Sequence, residues 1–129
     1  MSHIVTIQTR MRDRAALSAA CRRLGLAEPV EGSYERNIWD EHGEYTGGIA
    51  ISGLLVRLPG WTFPVAVQAD GTSLYDNYGG KWGELAHLHK LLQAYAVEAA
   101  RIQARRSGRT FTEQPLPDGS IRLTISEAS

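Results

Sequence analysis

Apolar and polar positions alternate with a period of two over residues 3–10, with Val5, Ile7 and Thr9 on one side and Ile4, Thr6 and Gln8 on the other. That is the side-chain period of a strand. The period then lengthens. Leu17, Cys21 and Leu24 recur at i, i+4 and i+7 and form one stripe of a helix. Asp13 stands where an N-cap carboxylate would accept the first free amides, and Gly25 where a left-handed residue would close the helix. Residues 28–32 read as a linker. Residues 33–39 read as a short strand, 40–44 as a hairpin loop, and 49–58 as a largely buried return strand. Gly47 and Gly48 at its entry predict a bulge. Pro59-Gly60 is a turn, after which Trp61, Phe63, Val65 and Val67 alternate as a further strand, ending in a turn at residues 70–73.

The longest periodic segment is residues 85–106. Leu85, Leu88, Leu92, Tyr95, Ala99 and Ile102 step by three and four, and Leu91 and Ala96 widen the stripe. This predicts a long helix lying across a sheet. The same spacing satisfies a heptad seam, which leaves helix pairing between subunits open. Residues 109–114 and 120–126 then form a hairpin around Pro117-Asp118-Gly119. Ile121, Leu123 and Ile125 would face in, and Arg122, Thr124 and Ser126 out. Residues 74–83 mix glycine with aromatic and polar side chains and read as a shaped loop.

These elements predict an α+β fold: an antiparallel sheet of about five to six strands with two helices on one face, in the order β-α-β-β-β-α-β-β. The chain has 129 residues, enough for a single domain over residues 1–129 with its own core. One cysteine, Cys21, forms no internal disulfide, and the first ten residues carry no basic-then-apolar leader. Cytoplasmic residence is expected, with no membrane span. Net charge is zero, which argues against simple polyanion binding. The charges nevertheless fall in blocks. Arg10, Arg12, Arg14, Arg22 and Arg23 precede an acidic run of Glu28, Glu31, Glu35, Asp40, Glu41 and Glu44. Pairing of these blocks, within one chain or between chains, is the expectation.

Several phrases resemble one family. They are the opening Met1-Ser2-His3-Ile4, the Arg10-Met11-Arg12-Asp13 entry to the first helix, and Leu92-Gln93-Ala94-Tyr95-Ala96 in the long helix with its exit at Gly108. Phe111-Thr112-Glu113 and Asp118-Gly119-Ser120-Ile121-Arg122-Leu123 at the close complete the set. The family is that of the hypothetical chloroplast reading frame thirty-five proteins, a domain of unknown function in cyanobacteria, algal plastids, other bacteria and phages. The resemblance covers both ends and leaves residues 34–83 outside it. It implies a shared fold, and an accessory or adaptor role beside an AAA-type ATPase. It carries over no catalytic residue.

The candidate chemistry is sparse. Tyr75, Asp76, Asn77, Tyr78, Lys81 and Trp82, with Gly79 and Gly80, combine hydrogen-bonding groups, aromatic faces and a cation, as a ligand-binding loop would. The glycines could present amides to an anion, although the P-loop spacing is absent. Arg101, Arg105, Arg106 and Arg109 form a basic patch that could grip phosphates of a nucleic acid or complement the helix dipole. His3, His42, His87 and His89 have no chelating spacing, so no metal is expected. Cys21 falls on the core stripe, where burial blunts a thiol. No nucleophile elbow is present, and the acids of residues 40–44 suit a solvated loop. These residues imply no catalytic constellation and no cofactor. The expectation is a binding or adaptor protein that associates with a protein partner or with itself. The alternatives are a small-molecule or anion site at residues 75–82 and nucleic-acid binding at residues 101–109.

Overall fold

The computed structural model describes residues 5–7, 10–39, 41–76 and 80–127. Its strands are β1 (Val5–Ile7), β2 (Val30–Trp39), β3 (Tyr45–Val56), β4 (Val65–Val67), β5 (Ser73–Tyr75), β6 (Arg109–Pro115) and β7 (Ile121–Glu127). Helix α1 (Arg14–Arg23) follows β1, and α2 (Leu85–Arg106) follows β5. The first five strands make an antiparallel sheet in the order β1-β5-β4-β3-β2, and β6 and β7 make a second, two-stranded sheet. The fold is α+β with two helices, as the periodicities imply. No helix among the described residues is long and apolar enough to cross a membrane.

Local chemistry sets the ends of α1. The Asp13 carboxylate accepts the amides of Ala15 and Ala16 at 2.9 and 3.2 Å. At the other end Gly25 takes φ 71°, the Leu26 amide donates to the Cys21 carbonyl, and the Gly25 amide to that of Arg22. These two bonds satisfy carbonyls that the last turn leaves free. Both helices lie on one face of the sheet. Leu17, Ala20 and Cys21 of α1 meet Leu88, Leu91 and Ala94 of α2 over Val56, Val65, Val67 and Tyr75. Cys21 is fully buried there, and burial, with a lesser push from Glu28, raises its thiol pKa to about 11. It is a core group with no thiolate at neutral pH.

Some boundaries differ from the sequence pattern. β2 begins at Val30, inside the stretch read as a linker, because residues 30–38 find a full row of partners on β3. β3 begins at Tyr45 and takes in both glycines. The register shift lies opposite Ile38 and Trp39, where Thr46 is the extra residue beside Gly47. The strand expected from Trp61 shrinks to Val65–Val67. Trp61 instead packs at a bend, donating from Nε1 to the Glu84 carbonyl at 3.0 Å. Residues 73–75, divided in the sequence reading between a turn and a loop, form the strand β5 between β1 and β4.

The C-terminal hairpin turns as expected, with Pro117 inside a turn closed by the Gly119 amide on the Leu116 carbonyl. It does not extend the main sheet. It lies on α2, where the Gln93 side chain donates to the Gly119 carbonyl and the Arg101 guanidinium sits over the Phe111 ring. Gln93, Val97 and Arg101 follow one another at i+4, so the hairpin covers Val97. This contact turns the buried arc of α2 away from the expected stripe. Leu88 and Leu91 are buried, Leu92 and Tyr95 are half-buried, and Leu85 is 41% exposed. On the hairpin Ile121 and Leu123 are half-buried, but Ile125 is 45% exposed, so the inward row ends one residue early.

Candidate functional site

The two faces of the main sheet have different covers. Alternation along β2 and β3 puts Glu31, Ser33 and Glu35 on the helix side, and Val30, Tyr34, Arg36, Ile49, Ile51 and Leu55 on the outer side. On the outer side Phe63, Pro64 and Trp82 lie over the Tyr34 and Arg36 stretch of β2. Tyr34 stacks on Phe63 at 5.8 Å and donates its hydroxyl to the Pro64 carbonyl at 2.8 Å. Phe63 meets Trp82 edge-on at 5.6 Å. The Arg36 guanidinium lies 4.0 Å from the Phe63 ring centre and 5.1 Å from that of Trp82. Its Nε and one terminal nitrogen reach the Asp76 carboxylate at 3.3 and 3.2 Å. Asp76 has no exposed surface, and the Arg36 side chain is 14% exposed. Burial first, and the Asp76 charge second, push the Tyr34 hydroxyl up to about 12.

This cluster shows what the middle segment does. Tyr75 points to the helix side and packs edge-on against Trp61 at 5.4 Å. Its neighbour Asp76 points to the outer side and holds Arg36. Trp82 caps Phe63 and Arg36 from above. Gly83 sits so close to Trp61 that a β-carbon there would fall 2.4 Å from the indole. Tyr75, Asp76 and Trp82 thus fasten the segment to both sides of the sheet. Asn77 and Tyr78 lie outside the described residues. Lys81 is exposed and borders a cleft of about 230 Å³ with Pro59, Gly60, Glu84 and His87. Of the residues expected to form one ligand loop, the described ones are dispersed over three environments.

The basic patch is likewise divided. Arg101 belongs to an ion network with Arg23 of α1, Glu98 of α2 and Glu113 of β6. Arg23 bonds both oxygens of Glu113 at 2.7 and 2.8 Å and reaches Glu98 at 2.8 Å. Arg101 reaches Glu113 at 3.1 Å and Glu98 at 3.6 Å. Arg109 pairs with Glu127 across the hairpin at 3.3 Å. Arg105 and Arg106 remain exposed in the last turn of α2, where their charge complements the helix dipole. The pairing of charge blocks within the chain is visible at Arg14–Glu31 and Arg22–Glu28, at 3.6 and 4.0 Å, between exposed side chains. Such exposed pairs contribute little.

Sequence reasoning missed two features. One is a cleft of about 440 Å³ lined by Arg12, Arg14, Glu31, Gly53, Val67 and Gln68 among others, where β3 and β4 part. Gly53 has φ 147°, and a β-carbon there would fall 2.5 Å from the Val67 carbonyl oxygen. The glycine within a β-rich run was the only signal for it. The other is the presence of exposed apolar side chains on the outer face of the β2–β3 ribbon. Val30 is 63% exposed with half-buried Leu55 opposite it, and Ile49, opposite Arg36 farther along the ribbon, is 43% exposed. Val30 and Leu55 also line a pocket of about 230 Å³ with Ala27, Glu28 and Arg57. Among the described residues no group of His, Cys, Asp and Glu side chains is placed to hold a metal ion. Comparison with known proteins finds no matching family model, no matching curated protein and no matching solved structure.

Proposed function

We propose that this chain is a non-catalytic binding protein that acts within an assembly, as an adaptor to a larger protein partner. The observation that carries the reading is a pair of exposed apolar side chains on the outer face of the β2–β3 ribbon, Val30 opposite Leu55 at one end and Ile49 opposite Arg36 toward the other. Exposed apolar side chains held on a rigid sheet face suit docking by the side chains of another protein. Between these two positions Phe63 stacks on Tyr34 and the Arg36–Asp76 pair is capped by Trp82, so the ribbon presents them on a rigid support. The likeness of both chain ends to the reading frame thirty-five family supports an AAA-type ATPase as the partner class.

The test is to mix the purified chain with an AAA-type ATPase encoded in the same genome. Light-scattering mass and ATP turnover are then followed. A complex at micromolar concentration is expected, and Ile49→Glu should weaken it about tenfold or more, a loss of roughly 1.4 kcal/mol. Ile49 is already partly exposed, so the melting temperature of the variant should stay close to that of the parent. Unchanged mass and unchanged turnover at high concentration of both proteins would end the proposal.

A further inference from the structure

The strand β2 is the outermost member of the five-stranded sheet and pairs only with β3 among the described elements. It is ten residues long, whereas β1 at the opposite edge has three among the described residues. Long open edges are ordinarily blunted by proline, inward charges or a covering element. β2 contains no proline, and although Glu31 and Glu35 point to the helix side and Arg36 to the outer side, one pairing sets none of the three directly against a like charge.

We infer that β2 pairs antiparallel with β2 of a second copy of this chain, about a two-fold axis at Tyr34, to join two sheets into one. The inference rests on the reading that this end of the sheet is an assembly surface. Two-fold pairing keeps each face of the sheet continuous, so directly opposed residues must come from the same face. Centred on Tyr34, the pairing sets Val30 opposite Ile38, Gly32 opposite Arg36, Glu31 opposite Asn37 and Ser33 opposite Glu35. Val30, 63% exposed in the single chain, meets an apolar side chain. Gly32 has no side chain to crowd the Arg36 guanidinium, which keeps its place over Phe63. No like charges are directly opposed.

Shifted registers lack this match. Centring on Ser33 sets Glu31 against Glu35, centring on Glu35 sets that carboxylate against itself, and centring on Arg36 does the same to two guanidiniums. Like charges directly opposed across strands are destabilising. The Tyr34 register also uses residues 30–38, nearly the whole strand.

Sedimentation and directed cross-linking test this together. At tens of micromolar the wild-type chain should sediment at twice the monomer mass. Val30→Glu, at an exposed position that leaves the fold intact, should raise the dimer dissociation constant about tenfold or more. For the register, Ser33→Cys and Glu35→Cys chains are made separately and oxidised alone and mixed. Opposed residues have α-carbons about 4.5–5.5 Å apart, within the span of a disulfide. The mixture should yield far more covalent dimer than either chain alone, and the buried Cys21 gives no background. A wild-type chain that remains monomeric to about 500 µM would overturn the inference. So would cross-linking in the mixture no greater than in the separate chains. Either result leaves the ATPase-binding test untouched, and failure of that test leaves the dimer standing.

Discussion

Replacing Asp76 by alanine is expected to destabilise the chain by about 3–5 kcal/mol, the range found when one partner of a buried ion pair is removed. Asp76 has no exposed surface, and Arg36 opposite it is nearly enclosed by Phe63 and Trp82. Without the carboxylate, the guanidinium loses this buried counter-charge where water reaches it poorly. A small domain has about 5–15 kcal/mol in all, so the loss is a large fraction of the total. Urea unfolding followed by tryptophan emission measures it, since Trp61 and Trp82 both border the segment that Asp76 holds. Removing both charges as Arg36→Met with Asp76→Leu should cost much less than Asp76→Ala alone, because the cost comes mainly from the uncompensated charge. If Asp76→Ala unfolds within 1 kcal/mol of the parent, then the pair does not fasten the segment.

The second large effect is expected at Arg23. This one guanidinium joins α1 to Glu98 on α2 and to Glu113 on β6, with side chains 25%, 12% and 27% exposed. Arg23→Ala leaves two carboxylates sharing Arg101 and should cost about 2 kcal/mol, less than a fully buried pair because water still reaches the network. The loss should be concentrated in the hairpin. Amides of β6 and β7 should exchange faster while those of β3 and β4 hardly change.

The same network sets a pH dependence. Hydrogen bonds from Arg23, and then its charge and Arg101, hold the Glu113 carboxyl below its usual value. A carboxylate with a lowered folded-state pKa stabilises the fold above the unfolded glutamate pKa of about 4.3. That stability is lost as pH falls through the lowered value. Hairpin protection should therefore be flat from neutral pH to about 5 and fall below about 4, and Arg23→Ala should flatten the fall. Equal acid profiles for the two chains would show that Glu113 does not anchor the hairpin through Arg23.

The contrast between these two networks shows how far the sequence could be read. Helix α1 was legible from cap to cap, because Asp13, the Leu17–Cys21–Leu24 spacing and Gly25 all act within a few residues of one another. The hairpin turn was legible for the same reason. The buried arc of α2 was displaced because it depends on a hairpin that begins after the helix has ended. Asp76 reads, together with Tyr75, Asn77, Tyr78, Lys81 and Trp82, as ligand-binding chemistry. Its partner Arg36 is forty residues earlier, and nothing local links the two. Arg101 was placed in a cationic patch, yet its counter-charges come from its own helix and from β6. Long-range pairing decides whether a charged residue is available, and periodicity does not report it. The exposed end of β2 was hidden differently. Val30 stood in a stretch read as a linker, so β2 seemed shorter and its exposed row was not visible.

The measurement that bears most directly on an assembly surface at β2 and β3 is amide hydrogen exchange across residues 30–38. It is read at increasing protein concentration and again with the ATPase partner present. Exchange there should slow as a second copy fills the edge and as the ATPase covers the outer face, while amides of β4, β5 and α2 keep the same rates. Rates over residues 30–38 that stay equal in dilute, concentrated and partner-containing samples would contradict the account.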